Sequence, residues 1–155
     1  MYIKGRVLSS LILGLSLILV GCSSNPEVED KKETLTGECS QEEISGGSAW
    51  ITGQLNAFSN SDAKAAYAFA SEQFRSGVSL DDFASIIAGQ YSALLNLETF
   101  EIINCVPIEM GFVFQVDLTD KEKNLFTVQY VLSLIEGQWG VDAATISQVK
   151  AKPSL

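Results

Sequence analysis

The sequence predicts an α+β fold in which three helices pack on one face of a curved four-stranded antiparallel sheet. Two observations carry this. Apolar residues recur at helical spacing from Ile51 to Tyr91, and after Asn96 they recur at every second position. Polar or glycine-containing turns then divide the second half into four alternating stretches, without the long crossovers that parallel strands require. The domain expected from these signals spans residues 47–148, behind a leader (1–21) and a tether (22–46), with a short tail at 149–155.

The leader begins with Lys4 and Arg6, followed by an apolar run from Val7 to Val20. That is the length of a secretory h-region and falls short of the roughly 20 apolar residues of a bilayer span. Leu19-Val20-Gly21-Cys22 resembles the bacterial lipobox, in which small residues admit the peptidase to the bond before a lipid-bearing cysteine. Cleavage is therefore expected between Gly21 and Cys22, with the lipid on Cys22. The domain is expected on the extracytoplasmic side, anchored in the cell membrane or the outer membrane. The residues after Cys22 are Ser, Asn, Pro, Glu, Asp and Lys with few large apolar side chains, too little to offset the entropy of ordering. They read as a flexible acidic tether.

Gly46-Gly47-Ser48 closes the tether in this reading. Ile51, Leu55 and Phe58 form the first helical stripe, and Asn60-Ser61-Asp62 interrupts it with side chains that cap the next helix. Ala63, Tyr67, Ala70 and Phe74 make the second stripe, which Gly77 ends. Ser79 and Asp82 have the spacing of a capping box for a third helix marked by Leu80, Phe83, Ile87 and Tyr91, with Gly89 as a stop or a close-packing point.

The first strand places Phe100, Ile102 and Asn104 opposite Glu101 and Ile103 and ends near Cys105 and Pro107. Phe112, Phe114, Val116 and Leu118 share one face of the second, with Gln115 and Asp117 on the other. A polar loop at Thr119–Asn124 leads to the third, where Phe126, Val128, Tyr130, Leu132 and Leu134 alternate with Thr127, Gln129 and Ser133. Glu136-Gly137 is a tight turn, and Trp139, Val141 and Ala143 open the fourth. Phe58, Tyr67, Phe114, Tyr130 and Trp139 are expected to meet in one core between helices and sheet.

Composition narrows the chemistry. The 155-residue chain carries a formal charge of −9, and removal of the leader takes away two cations and no acid, leaving −11. So acidic a chain repels phosphate backbones, and no nucleic-acid partner is expected. The absence of histidine removes the commonest general base and the commonest metal ligand together, so neither metal nor cofactor is expected. With Cys22 assigned to lipid, Cys39 and Cys105 remain as an even pair in a compartment that permits disulfides, and a bridge between them is expected. The alternative is two unpaired thiols.

Ile51-Thr52-Gly53-Gln54-Leu55-Asn56-Ala57-Phe58, then Asp62, then Ala65 to Ser71, resembles the bacterial domain-of-unknown-function family 4864. The resemblance continues through Phe83 and Tyr91 to Tyr130-Val131-Leu132 and Gly137-Gln138-Trp139, covering roughly Ser48 to Ile146. It departs at Glu72, where family members commonly carry Pro after the Ala-Ser pair. The family is similar in architecture to the nuclear-transport-factor-2-like superfamily, also called cystatin-like, a cone of helices over a strongly bent sheet.

That resemblance implies a pocket between sheet and helices, and some superfamily members are isomerases or dehydratases that place Asp, His or Tyr in an apolar cavity. The candidates here are Tyr67, Tyr91, Gln115, Asp117, Gln129 and Tyr130. The tyrosines also read as core aromatics, and the strand polar residues as a solvated sheet face. The function expected is a non-catalytic, membrane-anchored envelope module that binds a small apolar ligand or an envelope protein. The alternative is a pocket enzyme of isomerase or dehydratase type using Asp117 or a tyrosine as acid or base.

Overall fold

A computed structural model describes residues 37–149. Cys22, the Gly21–Cys22 bond, the leader and most of the tether and tail lie outside the described residues. Among the described residues, five helices precede four strands: α1 (Gln41–Ser59), α2 (Ala63–Ala68), α3 (Glu72–Gly77), α4 (Leu80–Gln90), α5 (Ser92–Leu95), β1 (Leu97–Ile108), β2 (Gly111–Asp120), β3 (Leu125–Ile135) and β4 (Gln138–Gln148). The strands pair antiparallel in the order β1-β2-β3-β4, a curved meander with helices packed against one face. The longest helix, α1, touches both edge strands and so crosses the whole sheet.

The helix α1 starts at Gln41, not after Ser48. Its start is a full capping box: the Ser40 hydroxyl accepts from the Glu43 N–H at 3.3 Å, and the Glu43 carboxylate accepts from the Ser40 N–H at 2.7 Å. Glycine inside a helix costs roughly 0.5–1 kcal/mol relative to alanine, which makes Gly46-Gly47 look like a break. Packing overrides that preference. A Cβ on Gly46 would come within 2.6 Å of the Trp139 ring, and one on Gly47 within 2.2 Å of the Phe114 ring. The two glycines let the aromatics of the sheet press against the helix backbone.

The expected second helix is broken in two. At Phe69-Ala70-Ser71 the chain leaves helical geometry to pair with β4: the Val141 N–H donates to the Phe69 carbonyl and the Ser71 N–H donates to the Val141 carbonyl, each at 2.9 Å. Gly140 permits the approach, since a Cβ there would meet Ser71 Cα at 2.7 Å. Ser71 then caps α3, accepting from the Phe74 N–H at 3.1 Å. Glu72 thus occupies the first helical position, where proline is favoured because its missing N–H goes unused. Asp62 and Ser79 cap α2 and α4 as their positions suggest. The shorter Asp82 side chain accepts from the Ser79 hydroxyl at 2.7 Å instead of from its backbone. Gly89 neither stops α4 nor packs closely, for the helix continues to Gln90 and nothing lies within 4 Å of it.

Register shifts in β1 and β4 reset which residues face the helices. In β1 the register shifts between Ile102 and Asn104, so Phe100 and Ile102 face the core but Asn104 does not, and Cys105 takes over the inward phase. Cys105 is thereby aimed at the start of α1, where it is bridged to Cys39 with the Cα atoms 5.8 Å apart. In β4, Val131 pairs with Ala143 while Leu132 pairs with Val141, leaving Asp142 as the extra residue. The inward phase passes from Trp139 and Val141 to Ala144 and Ile146, and Ala143, expected beside Val141, is exposed. Glu136 and Gly137 both have positive φ, 51° and 80°, as a two-residue hairpin turn requires. Phe58, Phe114 and Tyr130 belong to one buried cluster, with Tyr67 and Trp139 packed against it.

Candidate functional site

A cavity of about 110 Å³ lies between α1, α4 and the inner faces of β3 and β4. Its walls come from the helical stripes, Phe58 on α1 and Phe83 and Ile87 on α4, and from Tyr130, Val141 and Ala144 on the sheet. Ile86 and Ala143 line the same space yet are exposed, so the cavity opens to solvent beside them. The Phe58 and Phe83 rings stack with centroids 6.0 Å apart, and Phe74 meets Phe83 edge-on at 6.1 Å, so the wall is a rigid aromatic cluster.

Three polar side chains reach this apolar space. Tyr91, half-buried at the end of α4, donates its hydroxyl to the Ala144 carbonyl at 2.7 Å and so ties the helix to β4. Gln54, 3% exposed, donates its amide to the Ala66 carbonyl at 3.1 Å. The third is Tyr130, 1% exposed in the middle of β3. Among the described residues its hydroxyl is the buried side-chain polar atom with no hydrogen-bond partner. Burial pushes the Tyr130 phenol above its ordinary pKa, and the neighbouring Tyr91 adds to the same direction. It is protonated at neutral pH and can donate.

Of the six candidates in the sequence, the fold brings two together here, Tyr91 and Tyr130. Tyr67 packs its ring on Phe83, 5.4 Å between centroids, and donates its hydroxyl to the Val78 carbonyl, outside the cavity lining. Gln115, Asp117 and Gln129 project from the opposite face of the sheet. There Asp117 accepts from the Thr127 hydroxyl at 2.8 Å and from the Gln115 amide at 3.4 Å, exposed to solvent. The alternation of β2 and β3 separates them from Tyr130 by the thickness of the sheet. Gln54 was missed, although its position betrays it. It stands three residues after Ile51 and four before Phe58, a polar side chain inside an apolar stripe.

A second recess lies at the far end of the β2–β3 hairpin, lined by Ser92, Asn96, Asp120, Asn124 and Gln148 among others. Asp120 organises it. Its carboxylate accepts from the Asn124 amide at 3.0 Å and from the N–H groups of Asn124 and Glu122 at 2.8 and 2.9 Å. These bonds, the Asn124 side chain foremost, hold its pKa below the ordinary value against the opposing effect of burial. Among the described residues no group of three or more acidic or cysteine side chains is placed to hold a metal ion.

Residues 41–153 match the domain of unknown function DUF4864. No curated protein matches the chain in sequence. Among solved structures, the chain resembles an NTF2-like protein of unknown function from Methylobacillus flagellatus KT, at 14% identity and a TM-score of 0.55. It also resembles one from Shewanella baltica OS155, at 16% identity and a TM-score of 0.52. Each match covers 74% of this chain and 100% of the other. At such identities the likeness fixes the fold, α+β and NTF2-like.

Proposed function

Because the chain belongs to the DUF4864 family, whose fold leaves activity open, we propose a function from the cavity itself: a non-catalytic binding module for a small apolar ligand, carried on a membrane-anchored envelope lipoprotein. The observation that carries the binding reading is the aromatic-walled cavity with one buried, unpartnered hydroxyl. Ligand sites are commonly mostly apolar with a few placed polar groups. The alternative pocket enzyme is weaker. Asp117 stands on the other face of the sheet, and the Tyr91 hydroxyl is taken by a backbone carbonyl. Native mass spectrometry of the purified full chain tests the binding reading: a small neutral adduct, lost on denaturation, is expected, and the bare protein mass in every preparation counts against it.

Anchoring rests on Leu19-Val20-Gly21-Cys22 behind a cationic start and a short apolar run. Intact-mass analysis should find the lipid on an N-terminal Cys22, and Cys22→Ser should leave the protein unprocessed or released from the membrane fraction. A wild-type protein that begins at Met1 and carries no lipid defeats this half of the proposal and leaves the cavity untouched.

A further inference from the structure

We propose that the cavity takes a neutral molecule with a hydrogen-bond acceptor, such as a carbonyl oxygen, on a compact apolar body, and that Tyr130 is the donor that recognises it. This rests on the cavity being a ligand site and adds the chemistry of what enters. A buried hydroxyl with no partner is costly, and native proteins rarely keep one without a use. Tyr130 is held on an inner strand, paired with Phe114 on one side and Ala144 on the other, so its position is fixed by the ladder. The other two polar side chains of the lining, Tyr91 and Gln54, already donate to backbone carbonyls. That leaves Tyr130 as the donor with nothing to satisfy it.

The same walls exclude charge. The lining holds no acidic or basic side chain, so a carboxylate or an ammonium would lose its hydration without a counter-ion. Size gives the third constraint. A cavity of roughly 150 Å³ accommodates benzene, so about 110 Å³ suits a smaller body of roughly five heavy atoms, with any remainder leaving past Ile86.

Cyclobutanone and methylenecyclobutane test the idea, since they share a shape and differ in C=O against C=CH₂. Binding of each to the full chain and to Tyr130→Phe is followed by titration NMR. The substitution should weaken cyclobutanone roughly tenfold and leave methylenecyclobutane within about twofold. If both probes bind and the substitution affects them equally, Tyr130 is not the recognising donor, while the cavity stands as a ligand site. If neither binds the wild-type chain, both readings fall. Without ligand, Tyr130→Phe should melt higher by about 4 °C or more, since it removes an unsatisfied buried group. A lower melting temperature means that the hydroxyl already finds a partner such as ordered water, and overturns the assignment.

Discussion

Asp120 and Tyr130 are both buried polar residues on the central strand pair, and the chain treats them oppositely. Around Asp120 the hairpin loop folds back to supply three donors, two of them backbone N–H groups, from Glu122 and Asn124. Around Tyr130 it supplies none. The first group is satisfied by residues two and four positions away and would be so in any protein that closed this hairpin. The second sits among side chains drawn from α1, α4 and β4, any of which could have carried a partner. A polar group answered by its own loop is structural. One left unanswered inside a cavity is the place to look for function.

The largest expected effect falls on the cavity side. Phe114 pairs directly with Tyr130 across β2 and β3, is fully buried and presses on the backbone at Gly47. Truncation to alanine should cost about 3–5 kcal/mol in urea unfolding. Amide exchange at Glu122 and Asn124 should stay slow under native conditions, because the loop closes through its own bonds. If those amides lose protection ahead of global unfolding, the two regions are one cooperative unit and the contrast fails.

Next comes the bridge from Cys39 to Cys105, which closes a separation of 66 residues and anchors the start of α1 over the sheet. Replacing both cysteines with alanine should cost about 4 kcal/mol in the chain-entropy picture. Labelling of the unreduced protein should find neither of these two thiols free; two free thiols there would remove the anchor.

The effect of Asp120→Asn should be smaller and should depend on pH. The folded pKa of Asp120 lies below the unfolded value of about 3.9. Its contribution is therefore present above that value and is lost as pH falls through it toward the folded pKa. The urea midpoints of wild type and Asp120→Asn should differ at pH 7 and converge as the pH falls below the unfolded value of about 3.9 toward the folded pKa. A gap that persists in acid would assign the loop's order to something other than the carboxylate.

The fold class was legible because period alone separates helix from strand, and the six candidates included both tyrosines that line the cavity. What stayed hidden depends on contacts distant in sequence. The start of α1 was obscured because Gly46 and Gly47 oppose helix locally and are explained only by Trp139 and Phe114 from the sheet. The break at Ala70 was invisible because its cause is Val141. The register shifts after Ile102 in β1 and at Asp142 in β4 move the inward phase by one residue, which alternation cannot foresee, and they carry Cys105 to Cys39 and Ala143 out to solvent. Asp117 was a fair candidate on chemistry and lost on parity.

That parity gives the smallest and most discriminating prediction. Asp117 and Asp120 are three residues apart on one strand, both carboxylates, both accepting hydrogen bonds. Asp117 accepts from Thr127 and Gln115 in solvent, where water replaces a lost partner at little cost. Asp117→Asn should change stability by no more than about 0.5 kcal/mol and leave cyclobutanone binding as in the wild type. Should the substitution abolish ligand binding while the protein stays folded, the working face of the sheet is the outer one. The buried hydroxyl of Tyr130 would then be a packing feature, and the contrast with Asp120 would carry no functional meaning.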